Sequence, residues 1–246
     1  MLIAQLSDCH LAREAGTGYR GVDPDARLAA VVARIAAHRP ELVIVSGDVS
    51  DDGSVASYHR ARALLDELPC CWEWLPGNHD DSAVMHGVKP LTHSIELGGW
   101  QFVLLDSRQP DSGSGYLAPA QLEALSATLE KGDAPALVVL HHPPVSVHTG
   151  WMDRLGLENS DAFWQTLAGH DRVRGVLCGH VHHEFTRLHH GVPVMALPAV
   201  AAQFVPESTE FSVDEQAPCG FRLLHLDSPG PQAGFLTRVE RLPLQP

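Results

Sequence analysis

An α/β fold of two packed β-sheets flanked by helices is predicted by three features of the sequence. Short apolar runs rich in β-branched residues recur from the first residues onward, as buried strands do. Amphipathic stripes with capping residues lie between them in the first half. In the last third the strand-like runs dominate. No repeat, low-complexity tract or linker interrupts the pattern, so residues 1–246 read as one domain.

Taken in order, residues 2–7 (LIAQLS) form the first expected strand. Asp23-Pro24 makes a helix start, with Asp as cap and Pro in the first turn. Leu28, Val31, Val32 and Ile35 then give an apolar stripe to about residue 38, before Pro40. Residues 42–45 (LVIV) are a buried strand that stops at Ser46-Gly47. A second helix begins near Ser54, with Tyr58, Leu64, Leu65 and Leu68 inward. Residues 71–75 form a third strand, closed by Pro76-Gly77-Asn78-His79-Asp80.

Residues 94–97 and 101–105 read as adjacent strands across a Gly98-Gly99 turn. A Gly/Ser loop at 111–115 precedes a helix at 119–129 built on Leu122, Leu125 and Leu129, and residues 136–140 are again a strand. Residues 146–158 are irregular, with Trp151, Met152 and Arg154 read as exposed. Asn159 is placed to cap a helix to about residue 170. Strands are expected at 173–178, 185–189, 192–197, 221–226 and 235–240.

The formal charge of −13 and pI near 5.6 argue against a nucleic-acid polymer or an anionic membrane as partner. Lys89 and Lys131 are the only lysines, so no basic tract can follow a phosphate backbone. A small anionic substrate remains compatible. The five cysteines have no framework spacing, and Cys70, Cys71 and Cys178 read as small buried hydrophobes. The chain opens on a strand without the pattern of a signal peptide, and no apolar run is long enough to span a membrane. The expected setting is cytoplasmic.

Five apolar runs end in metal-ligand residue types: Asp8 and His10, Asp48, Asn78 and His79, His141, and His180 and His182. Open α/β sheets place ligands at the carboxyl ends of strands. Asp8-x-His10 and Gly47-Asp48 alone read as ordinary polar loops, and Gly179-His180-x-His182 fits a loop and a ligand pair equally; together, in this order, the runs read as one metal-binding floor centred on Asp48. Two carboxylates about 4 Å apart repel by roughly 4 kcal/mol at an effective dielectric near 20, so such a cluster needs cations. Imidazole-rich sites suit Fe, Mn, Zn, Co or Ni rather than Ca or Mg. Two divalent ions would be balanced by Asp8, Asp48, one hydroxide and a phosphodiester monoanion, which favours a diester over a dianionic monoester.

Asp8-x-His10, Gly47-Asp48, Gly77-Asn78-His79-Asp80, His141 and Gly179-His180-x-His182 resemble, in order, the five signature blocks of the calcineurin-like metallophosphoesterases. The resemblance implies a four-layer αββα sandwich and two divalent transition-metal ions (Fe, Mn, Zn or Co). One ion would be held by Asp8, His10, Asp48 and His182, the other by Asp48, Asn78, His141 and His180. His79 would act at the leaving oxygen, Asp80 would orient its imidazole, and Asn78, His79 and His182 would contact substrate.

Residues 151–163, 173–185, 190–204 and 210–226 are similar to the bacterial class III cyclic-nucleotide phosphodiesterases. That likeness implies opening of 3′,5′-cyclic AMP to 5′-AMP by attack of a bridging hydroxide, and it allows a homodimer. A glycerophosphodiesterase, a broad phosphodiesterase or a phosphomonoesterase is the alternative on the same scaffold; a non-catalytic binding scaffold would instead show an eroded ligand set. The chain departs from the group at Ala199-Val200-Ala201, where Ser-Thr-Cys is common, and at His183.

Of the remaining polar residues, His142 reads as structural or as a support behind the metal ligands, His189-His190 as surface, and Asp51-Asp52 as caps of the following helix. His183 fits either a substrate contact or a solvated loop. Trp151 and Arg154 fit either a base-and-phosphate contact or a loop anchor. Residues 207–215 fit either a solvated acidic stretch or a lid.

Overall fold

The computed structural model describes residues 1–243. In chain order its elements are β1 (Leu2–Leu6), α1 (Pro24–His38), β2 (Leu42–Ser46), α2 (Val55–Leu65), β3 (Cys71–Leu75), α3 (Ser82–Val88), β4 (Ser94–Leu97) and β5 (Trp100–Leu105). There follow α4 (Pro119–Glu130), β6 (Ala136–Leu140), α5 (Ser160–Leu167), β7 (Val173–Leu177), β8 (Phe185–His189), β9 (Val192–Ala196), β10 (Gln203–Phe204), β11 (Val213–Asp214), β12 (Gly220–Leu226) and β13 (Phe235–Arg241).

The side chains of β2 explain the layering. Leu42 and Ile44 pack between the sheets with Trp100, Phe102, Leu137 and Val139. Val43 and Val45 face the other way, into a core shared with Leu28, Val31, Ile35 and Tyr58 of α1 and α2. Burying each such side chain contributes about 1.5–3 kcal/mol, and slipping β2 by one residue would exchange its two faces. A third core joins α4 and α5 to the second sheet through Leu125, Leu129, Phe163, Val138 and Val176. The result is the αββα sandwich.

One sheet has the order β13-β12-β1-β2-β3 and the other β4-β5-β6-β7-β9-β8, with β10 and β11 as a separate pair. β1, β2 and β3 are parallel, as are β5, β6, β7 and β9, while the outer strands β4, β8 and β13 pair antiparallel. Loops leaving β1, β2, β3, β6 and β7 meet at one end.

Several expectations are corrected. Helix α3 is shorter than a recognisable stripe; Asp81 caps it by accepting from the N–H groups of Ala83 and Val84. Strands β10 and β11 have two residues each, too short for an alternation to register. Cys71 is exposed and Cys70 half-buried because β3 is an edge strand and Cys71 opens it. Met152 is buried beneath a 3-10 turn, whereas Arg154 is exposed and Trp151 half-buried. Asn159 does not cap α5 with its side chain, which exchanges two hydrogen bonds with the backbone of Leu117.

Candidate metal centre

Short loops after buried strands must turn within one or two residues, and here the turning residues carry the chemistry. Asp8, His10, Asp48, His180 and His182 all have positive φ, between 48° and 71°. That left-handed conformation is uncommon for non-glycine residues and clusters at functional sites. Glycines give these loops room: a Cβ on Gly77 would lie 2.2 Å from Asp48 Oδ1, and one on Gly179 would lie 2.1 Å from Ser7 Oγ.

The histidine rings are fixed by their outer nitrogens. His141 Nδ1 donates to the Ser46 carbonyl at 2.8 Å, and His182 Nδ1 donates to the Ala202 carbonyl at 2.7 Å. His10 Nδ1 meets Asp51 Oδ1 at 3.2 Å. Each tie leaves Nε2 free to face inward as a lone pair, the arrangement of a metal-ligating histidine. There His10 Nε2 lies 3.2 Å from His182 Nε2, His182 Nε2 lies 3.3 Å from Asp8 Oδ1, and His141 Nε2 lies 3.3 Å from Asp48 Oδ2. Nε2 of His141 and of His180 and Oδ1 of Asn78 are buried without a hydrogen-bond partner. Buried polar atoms are costly without partners, and these are lone-pair atoms of the kind that could hold a cation.

Asp8, His10, Asp48 and His182 group their ligand atoms within 4.8 Å, all buried. His141 and His180 form a second such group with His142. His142 is fully buried, its Nδ1 2.8 Å from Ser107 Oγ and its Nε2 unpartnered.

Electrostatics follow the same geometry. Burial raises Asp48, but the His141 and His10 imidazoles outweigh it and hold the carboxyl well below the usual range. Asp8 is lowered likewise, with His182 and His141 overcoming burial. Burial disfavours charge on His141, yet Asp48 and Asp8 push it up to about 9. Burial and the neighbouring His141 push His142 down to about 3, and burial also lowers His180. Opposite charges and desolvation thus compete at every position.

His79 is the exposed member, with its backbone N–H donating to Asp48 Oδ1 at 2.9 Å. Its Nδ1 lies 3.2 Å from both the carboxylate and the backbone carbonyl of Asp51. Asp80 therefore does not orient the His79 ring as expected. Its carboxylate is buried, pushed up to about 6 by burial and by Asp48, and accepts from Gly77 N, Ser50 N, Val49 N and Tyr58 Oη. Asp80 fastens the Asp48 loop to the Asn78 loop, and Asp51 serves His79. Nor do Asp51-Asp52 cap α2: Ser54 does, its Oγ accepting from Ser57 N, while Asp52 accepts from Arg13 and Ser54.

Other expectations resolve in the same way. His183 is buried rather than solvated. Trp151 anchors a loop, its ring 5.5 Å from Phe204 and 5.1 Å from Phe211. Ala199, Val200 and Ala201 are fully buried, and the N–H of Ala201 donates to the Asp8 carbonyl, so this stretch supports the floor from behind. Sequence reasoning missed two aromatic supports, Tyr19 stacked on His10 at 4.1 Å and Phe204 stacked on His182 at 3.9 Å. Neither has a motif to mark it.

A two-sheet sandwich gathering buried carboxylates and imidazoles at its strand ends is the framework of a metal-dependent hydrolase. A family model described as calcineurin-like phosphoesterase matches residues 1–184. The chain is 38% identical over 247 residues to the 3′,5′-cyclic adenosine monophosphate phosphodiesterase CpdA of Pseudomonas aeruginosa, covering 98% of this chain and 90% of that protein. It is 36% identical over 249 residues to a 3′,5′-cyclic-nucleotide phosphodiesterase of Nostoc sp., with 98% and 92% covered. Among solved structures, a dimetal phosphatase from Danio rerio superposes with TM-score 0.71 at 17% identity over 96% of this chain and 98% of that one, a likeness of fold. The chain belongs to the calcineurin-like phosphoesterase family.

Proposed function

We propose that the protein is a phosphodiesterase that opens 3′,5′-cyclic AMP to 5′-AMP. The observation that carries this reading is the complete inward-facing donor set Asp8, His10, Asp48, Asn78, His141, His180 and His182, on a chain similar along almost its whole length to proteins named as cyclic-nucleotide phosphodiesterases. An eroded set, as a binding scaffold would have, is not what these positions carry.

Asp8, His10, Asp48 and His182 would hold one divalent ion, and Asp48, Asn78, His141 and His180 the other. The mixture of imidazole, amide and carboxylate suits Fe, Mn, Zn or Co. When bound, the two ions supply positive charge to the phosphoryl group and an acidic water for attack on phosphorus.

The chain's own residues do the rest. Asp48, held by the N–H of His79 and lying between the two donor groups, fixes their spacing. His79 stands at the open side of the floor. Burial works against its charged form, but Asp51 and Asp48 push its imidazole up to about 9. Protonated, and tied through Nδ1 to Asp51, it directs Nε2–H at the leaving 3′-oxygen and yields the proton as the P–O bond breaks. Asn78 and His182 border the same space.

The reading takes residues 1–246 as one domain, supported by β12 of the last third pairing onto β1, with β13 pairing onto β12. It also takes the setting as cytoplasmic, supported by five free cysteines, Cys71 among them exposed. Among the described residues no helix is long and apolar enough to cross a membrane.

Asp48→Ala and Asn78→Ala test the reading. Each is expected to abolish hydrolysis of a phosphodiester while the far-ultraviolet circular dichroism spectrum is kept; full activity in either variant removes this site from the reaction.

A further inference from the structure

Arg20 is a guanidinium held by aromatic contacts, and not by a carboxylate, beside the metal centre. It is exposed, and among the described residues no carboxylate forms an ion pair with it. Its Cζ lies 4.4 Å from the ring centroid of Phe211, 5.1 Å from that of Tyr19 and 5.8 Å from that of Phe204. Two of those rings are stacked on candidate metal ligands: Tyr19 on His10 at an interplanar angle of 8°, and Phe204 on His182 at 6°. Arg20 therefore lies one aromatic layer from the floor where the phosphoryl group would sit.

The backbone places it there at a cost. Tyr19 and Val22 exchange both N–H···O hydrogen bonds, at 2.9 and 3.1 Å, and Arg20 and Gly21 between them have φ of 47° and 87°. This is a tight turn with positive φ at both central residues, a position that favours Gly, Asn or Asp. Phe211, 44% exposed, reaches the guanidinium from the acidic stretch 207–215.

We propose that Arg20, with Tyr19, Phe204 and Phe211, seats the planar base of a nucleotide whose phosphate occupies the metal centre. The guanidinium is flat, stacks on π systems and presents N–H donors at its edge to ring nitrogens. Cation–π contacts hold it in plane against the aromatic wall, so little side-chain freedom is lost when a base arrives. Arg20 also lines, with Gln203, Asp214 and Glu215, a cavity of about 390 Å³. The proposal rests on the nucleotide reading given above and sharpens it: the base, and not the phosphate alone, is recognised.

The test compares two ligands that differ only in the base. Calorimetric titration of Mn²⁺-loaded protein with 5′-AMP and with ribose 5-phosphate gives a ratio of dissociation constants that reports the base contact. In the wild-type protein 5′-AMP is expected to bind at least about tenfold more tightly. Arg20→Ala should bring the ratio close to one by weakening 5′-AMP and leaving ribose 5-phosphate unchanged, and Arg20→Lys should keep part of the preference. Turnover of bis(4-nitrophenyl) phosphate by both variants checks that the centre is intact.

A wild-type ratio near one overturns the proposal, as does a ratio unaffected by Arg20→Ala. Equal weakening of both ligands also overturns it, since Arg20 would then be a phosphate contact. Failure to hydrolyse cyclic AMP with the ratio behaving as expected sinks the cyclic-nucleotide reading and leaves the base seat standing.

Discussion

One carboxylate oxygen of Asp51 lies 3.2 Å from Nδ1 of His79, and the same oxygen lies 3.2 Å from Nδ1 of His10. A single side chain thus orients the imidazole expected to protonate the leaving group and one expected to bind a cation. Burial raises Asp51 less than these two rings lower it, so its carboxyl stays ionised far below neutral pH. Partners of this kind are worth about 10–100-fold in metal affinity or activity.

Asp51→Asn is accordingly expected to reduce kcat on a phosphodiester by about 10–100-fold, and metal occupancy should fall in the same range. Asp80→Asn behaves differently. The amide keeps one oxygen, so the N–H groups of Val49 and Gly77, both held by Oδ2, lose their acceptor where the amide nitrogen replaces it, and unsatisfied buried donors cost about 1–3 kcal/mol each. At about 2–4 °C per kcal/mol for a chain of this size, its Tm should drop by at least about 5 °C. Thermal unfolding and steady-state rates on the same preparations decide the matter; an Asp80→Asn protein with normal Tm and lost turnover would return the orienting role to Asp80.

Removing the metal should abolish turnover and destabilise the fold together. A ligand at about 100 times its dissociation constant adds about 2.7 kcal/mol to stability, and the unpartnered Nε2 atoms of His141 and His180 lose their only partner with it. Dialysis against a chelator followed by calorimetry measures this, and restoring Mn²⁺ should recover both Tm and rate.

Gly77→Ala probes the close approach of the loops. The new Cβ would stand 2.2 Å from Asp48 Oδ1 and 2.5 Å from its N, and neither backbone can retreat without moving Asp80. A metal content below that of the wild type after identical loading is expected, with overpacking costing about 1–3 kcal/mol. An unchanged metal content would show that the Asp48 carboxylate is less confined than its contacts imply.

Glu240 ties β13 to α1 through Arg34 and through His38 Nε2 at 2.9 Å. Burial raises its pKa, but Arg34 and His38 lower it further, to a net value below 4.5. A depressed carboxyl contributes stability that is fully present above its unfolded pKa and is lost as pH falls through the folded one. The Tm difference between wild type and Glu240→Gln should therefore shrink as pH falls below about 5. A difference that grows at low pH would contradict the ion-pair account.

What the sequence made legible follows from local chemistry. Strands such as β2 and β6 are apolar along their length, and Asp23-Pro24 signals its helix without reference to the rest of the chain. The donors after β1, β2, β3, β6 and β7 were legible because each closes such a strand. What the sequence concealed depends on tertiary contact. Asp51, three residues beyond Asp48, differs from Asp52 in no sequence property, and only the fold turns one toward His10 and His79 and the other toward Arg13. Tyr19 and Arg20 are far from Phe204 in the chain, and their meeting beside the histidines has no periodic signature.

The account's central claim is tested most directly by ³¹P nuclear magnetic resonance of cyclic AMP incubated with Mn²⁺-loaded protein. The account predicts loss of the cyclic diester resonance and growth of 5′-AMP as the sole phosphorus product, with none of either change in Asp48→Ala. Unchanged cyclic AMP in a preparation that hydrolyses bis(4-nitrophenyl) phosphate, or release of 3′-AMP in place of 5′-AMP, would contradict it.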